Sequence, residues 1–364
     1  MAEAYPRTLM ELERRFSSEA DCAEYLAGLR WPEGFRCPEC NSSRAWRTSR
    51  ALWVCRDCQR QTSVTAGTIF GDSNLPLALW FRAIWHVVTQ KDGASALGLQ
   101  RVLGLGSYRT AWSLLHKLRR AMVRPGRERL QGLIEVDESY LGAPEPGKRG
   151  RQLGAKALIV AAVECVGRRK LGRIRLRQVR AASAQELEAF ILENIEPGAT
   201  VRTDDWLGYR GIKTQGYTHE PMPMRVPPKV EEAVLPRVHL VFSLLKRWLM
   251  STHQGAVRHS HLDYYLDEFT FRFNRRTSAS RGKLFYRLVE QAAAIPPHPY
   301  RTLRNPVVAQ PPLQDGALEY NAYPFPCELP GSSFLTLRGL ETCGAPSICL
   351  AALRPCFVSV VLPR

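Results

Sequence analysis

The sequence predicts a mixed α/β domain with flanking helices, preceded by a small cysteine-rich ribbon and a helical segment. Three observations carry this. Two CxxC pairs, Cys37/Cys40 and Cys55/Cys58, are separated by 14 residues in CPECNSSRAWRTSRALWVCRDC. From Leu75 to about Arg124 the apolar spacing is helical. Between residues 133 and 215, strand-like runs (LIEVDESYLG, AKALIVAAVE, RIRLRQV) alternate with one helix, SAQELEAFILENI, whose Ser183 and Glu186 form a capping-box pattern. In chain order, residues 1–30 read as an N-terminal helical segment, 31–74 as the ribbon and 75–126 as a helix-turn-helix-like region. Residues 127–295 read as the α/β core and 296–364 as an irregular, disordered tail. That tail is proline-rich, lacks lysine and holds four of the ten cysteines.

A formal net charge of +17 points to a polyanionic partner, nucleic acid being the commonest. No apolar run reaches the ~18 residues that span a bilayer. The N-terminal MAEAYPRTLMELERRF lacks the apolar stretch of a signal peptide. A reducing, cytoplasmic setting follows, and there ten cysteines do not read as a disulfide framework.

The paired knuckles supply a different use for cysteine. Each CxxC can place two thiolates about 2.3 Å from one tetrahedral Zn²⁺, and two knuckles close the site. Cys37, Cys40, Cys55 and Cys58 are therefore the expected zinc ligands. A ribbon this small buries little surface, so the metal would carry its stability. Arg44, Arg47, Arg50, Arg56 and Arg60 decorate it, as suits phosphate contact or a protein-binding face.

Downstream, SALGLQRVLG reads as a short helix, LGSY as a turn and SYRTAWSLLHKLRRAM as a longer helix. Ala111, Leu114, Leu115 and Leu118 share one face of the second helix. Arg109, Lys117, Arg119 and Arg120 lie elsewhere and are expected to face DNA. His116 reads as a surface or packing residue.

Acidic residues then appear at two strand ends. In LIEVDESYLG, Ile134, Val136 and Tyr140 alternate with Glu135, Asp137 and Ser139. In VRTDDWLGY, Asp204 and Asp205 follow a short extended run. A carboxylate leaving a buried strand is costly unless paired or bound to a cation. Two strands bringing aspartates to one point would hold hard divalent ions such as Mg²⁺. Further on, VHLVFSLLKRWL is an apolar helix with His239, Ser243 and Lys246 at i, i+4 and i+7, one narrow polar stripe.

In this order, the ribbon, SALGLQRVLGLGSYRTAWSLLHKLRRAM, VDESYLG, TDDWLGY, LPRVHLVFSLLKRWLMSTHQGA and HLDYYLDEFTFRFNRR resemble bacterial DDE-type insertion-sequence transposases with an N-terminal zinc ribbon. The resemblance runs from about Trp31 to Ala292. It implies an α/β catalytic core with an RNase H-like mixed sheet and flanking helices. It also implies metal-binding acids at Asp137 and at Asp204, the latter preferred to Asp205 because the family motif reads Thr-Asp, one residue, then Trp. The family's third position is a glutamate on a helix, followed seven residues later by a lysine or arginine that contacts phosphate. Here 34 residues separate Asp204 from His239, which stands at a position expected for that glutamate, and Lys246 follows seven later. The helix fits, but the glutamate is replaced by histidine. Imidazole is a neutral nitrogen ligand, so a site of Asp137, Asp204 and His239 would tolerate Mn²⁺ better than Mg²⁺. Glu231, Glu232 and Glu268 are rival acids. The basic run RFNRRTSASRGKLFYRL offers Arg275, Arg276 and Lys283 as DNA-backbone contacts.

The resemblance further implies a transposase that binds the terminal inverted repeats of its element. It would use two catalytic Mg²⁺ or Mn²⁺ ions to hydrolyse a phosphodiester and transfer the freed strand to target DNA. Its partners would be double-stranded DNA at element ends and target, bound by a homodimer or higher multimer, with a bacterial, cytoplasmic, nucleoid-associated location. The alternative is a catalytically decayed zinc-ribbon regulator that binds DNA without cleaving it.

Overall fold

The computed structural model describes residues 5–124, 126–142, 156–167, 170–222 and 234–304. Glu231, Glu232 and the tail beyond 304 lie outside them.

The chain opens with helices α1 (Leu9–Arg15) and α2 (Glu19–Arg30). Ser18 and Asp21 cap α2 reciprocally, each side chain bonding the other's backbone N–H. Three short antiparallel strands follow, β1 (Ala45–Arg47), β2 (Trp53–Cys55) and β3 (Gln61–Thr62), in the order β1-β2-β3. They form the ribbon. Helices α3 (Leu77–Thr89), α4 (Ala96–Leu103) and α5 (Tyr108–Ala121) come next. Ser95 caps α4, Gly104 ends it in the left-handed conformation, and Ser107 caps α5.

The central sheet holds β4 (Leu133–Leu141), β5 (Ala157–Val166), β6 (Lys170–Val179), β7 (Thr200–Asp204) and β8 (Thr218–Met222), in the order β6-β5-β4-β7-β8. Strands β4, β5 and β6 pair antiparallel, whereas β4, β7 and β8 pair parallel. Helix α6 (Ala184–Asn194) supplies the crossover into β7, capped by Ser183 as its sequence indicates. It covers one face with Leu187, Phe190 and Ile191 against Ile134, Val136, Leu158 and Val160. Helices α7 (Pro236–His253) and α8 (Leu262–Asn274) cover the other face, with Val238, Val241, Leu245 and Leu266 against Ile159, Ala161 and Val163. Strand β5 is sandwiched by both layers, which is why ALIVAAVE is apolar without alternation. This is the mixed, helix-flanked sheet of an RNase H-like core.

Helix α9 (Arg281–Ala294) departs from the expected organisation. The sequence boundary at 295 groups it with the sheet, yet Phe285, Leu288, Val289 and Ala292 pack with Leu26, Phe81 and Ile84 of α2 and α3. A short helix α10 (Tyr300–Arg304) lies inside the segment expected to be irregular, with Leu303 fully buried.

Polar contacts join the helical unit to the sheet unit. Arg119 of α5 pairs with Glu268 of α8 at 2.8 Å, both with 1% or less of the side chain exposed. Trp248 Nε1 donates to the Asp92 carbonyl at 2.8 Å, and Arg272 donates to the Val87 carbonyl at 2.9 Å. Gly93 is required at this junction. Its φ is +85°, and a Cβ there would stand 2.9 Å from Glu268 Oε1.

Removing one partner of a fully buried ion pair strands the other charge and costs about 3–5 kcal/mol. Glu268→Gln should therefore lower the unfolding free energy by about that amount in denaturant titration. The paired change Arg119→Met with Glu268→Leu should recover most of the loss.

Candidate active site and metal centres

In the ribbon, Cys37 Sγ lies 3.5 Å from Cys58 Sγ, and Cys40 Sγ lies 3.5 Å from Cys55 Sγ. All four sulfurs fall within 4.8 Å of one another. Four thiolates about 2.3 Å from one tetrahedral ion stand roughly 3.8 Å apart, so the donor set fits Zn²⁺. The knuckles act unequally on the four thiols. The backbone N–H of Cys58 pulls the Cys55 thiol down to about 6 and that of Cys40 lowers the Cys37 thiol, whereas burial and the neighbouring sulfurs push Cys40 up to about 12 and raise Cys58. Around the sulfurs, the ribbon's apolar core is confined to Phe35 and its stack on Trp53, with Trp31 and Ala45 alongside.

The acidic site is built by strand register. Parallel pairing sets Glu135 of β4 opposite Arg202 of β7. Two residues further along both strands bring Asp137 level with Asp204. Residues 67 apart in sequence thus meet just past the paired stretch, where β7 ends at Asp204 and β4 runs on beyond Asp137. Asp204 Oδ1 accepts from the Trp206 N–H at 3.2 Å, within a turn that leaves Asp205 exposed.

The alternation expected along β4 is present, and it engages α7 rung by rung. Glu135, 1% exposed, accepts from the backbone N–H groups of Arg237 and Val238 at 2.7 and 3.0 Å. Its other oxygen accepts from the Arg237 guanidinium at 2.8 Å. This carboxylate caps α7, whose own N-cap residue Leu235 supplies no side-chain cap. One rung on, Asp137 Oδ2 lies 3.0 Å from His239 Nε2. The last rung is Lys246 Nζ, which donates to Ser139 Oγ at 2.8 Å. The hydrogen bond to Asp137 raises the His239 pKa, whereas burial lowers that of Lys246. Ser243 turns back on its own helix, donating to the His239 carbonyl.

Glu138 is a site residue that the sequence did not single out. Strand alternation assigns it to the face opposite Asp137, with Tyr140. Its long side chain nonetheless comes close to Asp204 at the end of β7, and Tyr209 Oη donates to Glu138 Oε2 at 2.6 Å. Tyr209 is wholly buried, and burial followed by the Glu138 charge pushes its hydroxyl pKa well up. Ligand oxygens of Asp137, Glu138 and Asp204 lie within 4.8 Å of one another, and His239 is not in that group. Three oxygen ligands of this kind suit Mg²⁺. The signal in the sequence was the second carboxylate of VDESY beside the tyrosine of DDWLGY. The rival acid Glu268 is excluded, being buried against Arg119.

The expected DNA contacts divide. Arg109, Arg120, Arg276 and Lys283 are exposed, and Arg275 is half-buried. Lys117 and Arg119 do not face solvent: they are 5% and 1% exposed. Lys117 sits over the Trp80 ring, and Arg119 over the Tyr265 ring and against Glu268. One apolar stripe suggested one packed face of α5, but α8 covers a second. Apart from Arg120, the exposed part of α5 and its cap is the start, Ser107–Arg109. His116 is a packing residue, buried beside Trp112, His261 and Tyr264. Arg276 donates to the carbonyls of Leu171 and Gly172 in β6 and of Phe273 in α8.

Comparison with known proteins agrees with this geometry. Residues 129–274 match the ISXO2-like transposase domain, and residues 17–61 match the transposase zinc-ribbon domain. The first match ends where α8 ends. A protein described as uncharacterized in transposable element ISH50 of Halobacterium salinarum is 27% identical over 280 residues, covering 71% of this chain and 92% of its own length. No helix among the described residues is long and apolar enough to cross a membrane.

Because the ribbon's core is so small, metal should govern its fold. Chelation, or Cys55→Ser, should abolish the near-ultraviolet signal of the Phe35–Trp53 stack and leave the far-ultraviolet signal of the helices nearly unchanged. Metal analysis should show the bound zinc lost in the variant.

Proposed function

We propose that this chain, which carries an ISXO2-like transposase domain behind a transposase zinc ribbon, binds the terminal inverted repeats of an insertion sequence and catalyses their cleavage and transfer. The observation that carries the reading is the convergence of Asp137 and Glu138 of β4 with Asp204 at the end of the adjacent parallel β7. Two divalent ions bound at such carboxylates activate an attacking water or hydroxyl and stabilise the leaving oxygen of an in-line displacement.

The chain's own groups have distinct roles in this reading. Asp137 and Asp204 hold the metal from two strands, and Glu138 completes the oxygen set, held in place by Tyr209. His239 orients Asp137 through its hydrogen bond. Lys246, tethered to Ser139 beside the carboxylates, meets the phosphate next to the scissile bond. In the first step water would attack the phosphorus at the element end and the P–O3′ bond would break, leaving a 3′-hydroxyl and a 5′-phosphate. In the second that hydroxyl would attack a target phosphorus and expel the target strand's 3′-oxygen, so no covalent protein–DNA intermediate forms. Arg109 and Arg120, with the arginine-studded ribbon, contribute to end binding, and pairing of two ends requires at least a dimer.

The test is incubation with a labelled terminal-repeat duplex in Mg²⁺ and in Mn²⁺. The wild-type chain should nick at the element end. Asp137→Asn or Asp204→Asn should lower the rate by roughly 10³-fold or more, several kcal/mol of lost charge stabilisation, and leave end binding intact. Binding without nicking in either metal would instead identify a DNA-binding regulator. Glu138→Gln should weaken Mn²⁺ binding, read by electron paramagnetic resonance, more than His239→Ala does. The reverse order would return the third ligand position to His239.

A further inference from the structure

A cavity of about 490 Å³ opens where the helical unit meets the β6 edge of the sheet, two strands away from β4. Six arginines line it, Arg124, Arg127, Arg173, Arg175, Arg275 and Arg287, together with Lys283, against the carboxylates of Glu128, Asp267 and Glu290. They arrive from four separate segments: the lead into β4, β6 itself, the end of α8, and α9.

Much of the local acid is already engaged. Glu128 pairs with Arg124 and Arg173, and Glu290 pairs with Arg287. Arg173 is further saturated by Glu164 at 2.6 Å, outside the lining. Arg127, Arg175 and Arg275 form no ion pair among the described residues. Arg127 donates to Asn194 Oδ1 at 3.3 Å. Arg175, only 4% exposed, donates to the carbonyls of Ile174 and Glu128 at 2.9 and 2.6 Å. Arg275 stacks on the Phe271 ring at 4.1 Å and donates to its carbonyl at 3.4 Å. Each guanidinium carries five N–H donors, so these bonds to neutral oxygens leave most of them unused. Arg175 is buried and Arg127 and Arg275 are half-buried. The remaining lining acid, Asp267, acts on Arg127 without forming an ion pair among the described residues. Crowding these cations is therefore unfavourable unless a further anion joins them. The strain is visible in the pKa of Arg175, which burial and then Arg127 and Arg173 push down to about 10, and in that of Arg275, which burial, Arg124 and Arg287 lower.

We propose that this cavity is a second DNA-binding site, a clamp for the phosphodiester backbone that is separate from the carboxylate site. It rests on the reading that DNA is the substrate. Guanidinium forks match phosphate oxygens in pairs. Among the described residues the lining's one aromatic ring, Phe271, is already covered by Arg275, and these residues offer no open platform for stacking a base. Contacts of this kind position a duplex and read no sequence.

The experiment is fluorescence anisotropy across a salt series, using full-length Asp137→Asn protein with a terminal-repeat duplex and an unrelated duplex. Adding Arg127→Gln and Arg275→Gln should weaken both duplexes by a similar factor, on the order of 10-fold or more, and lower the salt slope by about 0.9 for each phosphate no longer neutralised. The corresponding lysine replacements should keep the slope and restore most of the affinity, which separates lost charge from lost folding. If the parent binds DNA and the glutamine variant matches it in affinity and slope, the clamp is wrong and the transposase reading stands. If the parent binds neither duplex, the reading of DNA as substrate fails as well. A loss confined to the terminal repeat would mean sequence readout and overturn the backbone assignment. Inorganic tripolyphosphate that raises the melting temperature of the parent alone, with DNA affinity unchanged by the glutamines, would identify a small polyphosphate ligand instead.

Discussion

One buried carboxylate sets the geometry on which the site depends. Glu135 lies on the central strand, 1% exposed, and its oxygens take the first N–H groups of α7 and the Arg237 guanidinium. A buried carboxylate without partners is strongly unfavourable, and a helix end without a cap leaves its amides unsatisfied. Each defect resolves the other. The helix is thereby pinned to one register on β4, and the period of two along the strand does the rest. Asp137 comes to lie against His239 and Ser139 against Lys246. A slip of one residue in β4 would turn all three polar rungs to the opposite face.

Parallel pairing of β4 with β7 provides the second constraint. An antiparallel partner would carry its C-terminal aspartate to the opposite end of the sheet, whereas a parallel one delivers Asp204 beside Asp137. The long crossover through β5, β6 and α6 follows from that requirement. The same sheet keeps two chemistries apart. The carboxylates gather between β4 and β7, and the guanidiniums gather at the β6 edge under α9. In the proposed function the first group holds metal ions and the second holds backbone.

Much of this was legible in the chain because its signals are local. Four cysteines at CxxC spacing report a tetrahedral site by themselves. The polar alternation of LIEVDESYLG, the cap at Ser183 and the histidine-to-lysine stripe of α7 all survive in the fold, since each depends on backbone period alone. Glu138 escaped notice because period assigns a face but not the reach of a long side chain to the end of a neighbouring strand. Lys117 and Arg119 were misplaced because α5 packs on two sides, and a single apolar stripe records only one of them. The placement of α9 among the N-terminal helices depends on partners more than 190 residues away, and no local pattern reports those.

By itself the sequence carried the paired CxxC spacing, the strands and the helix between residues 133 and 204 and the polar stripe of α7, because spacing and hydrophobic period encode them. Its resemblance to DDE-type transposases made Asp137, Asp204, His239 and Lys246 candidates. The tertiary structure alone decided that Glu135 caps α7, that Glu138 joins the two aspartates, and that Arg119 serves the core. It also decided that six arginines from distant segments share one cavity. The physical reason is common to all four. The balance between burying a charge and pairing it is set by neighbours in space, and those neighbours are fixed only once strands have registered and helices have docked.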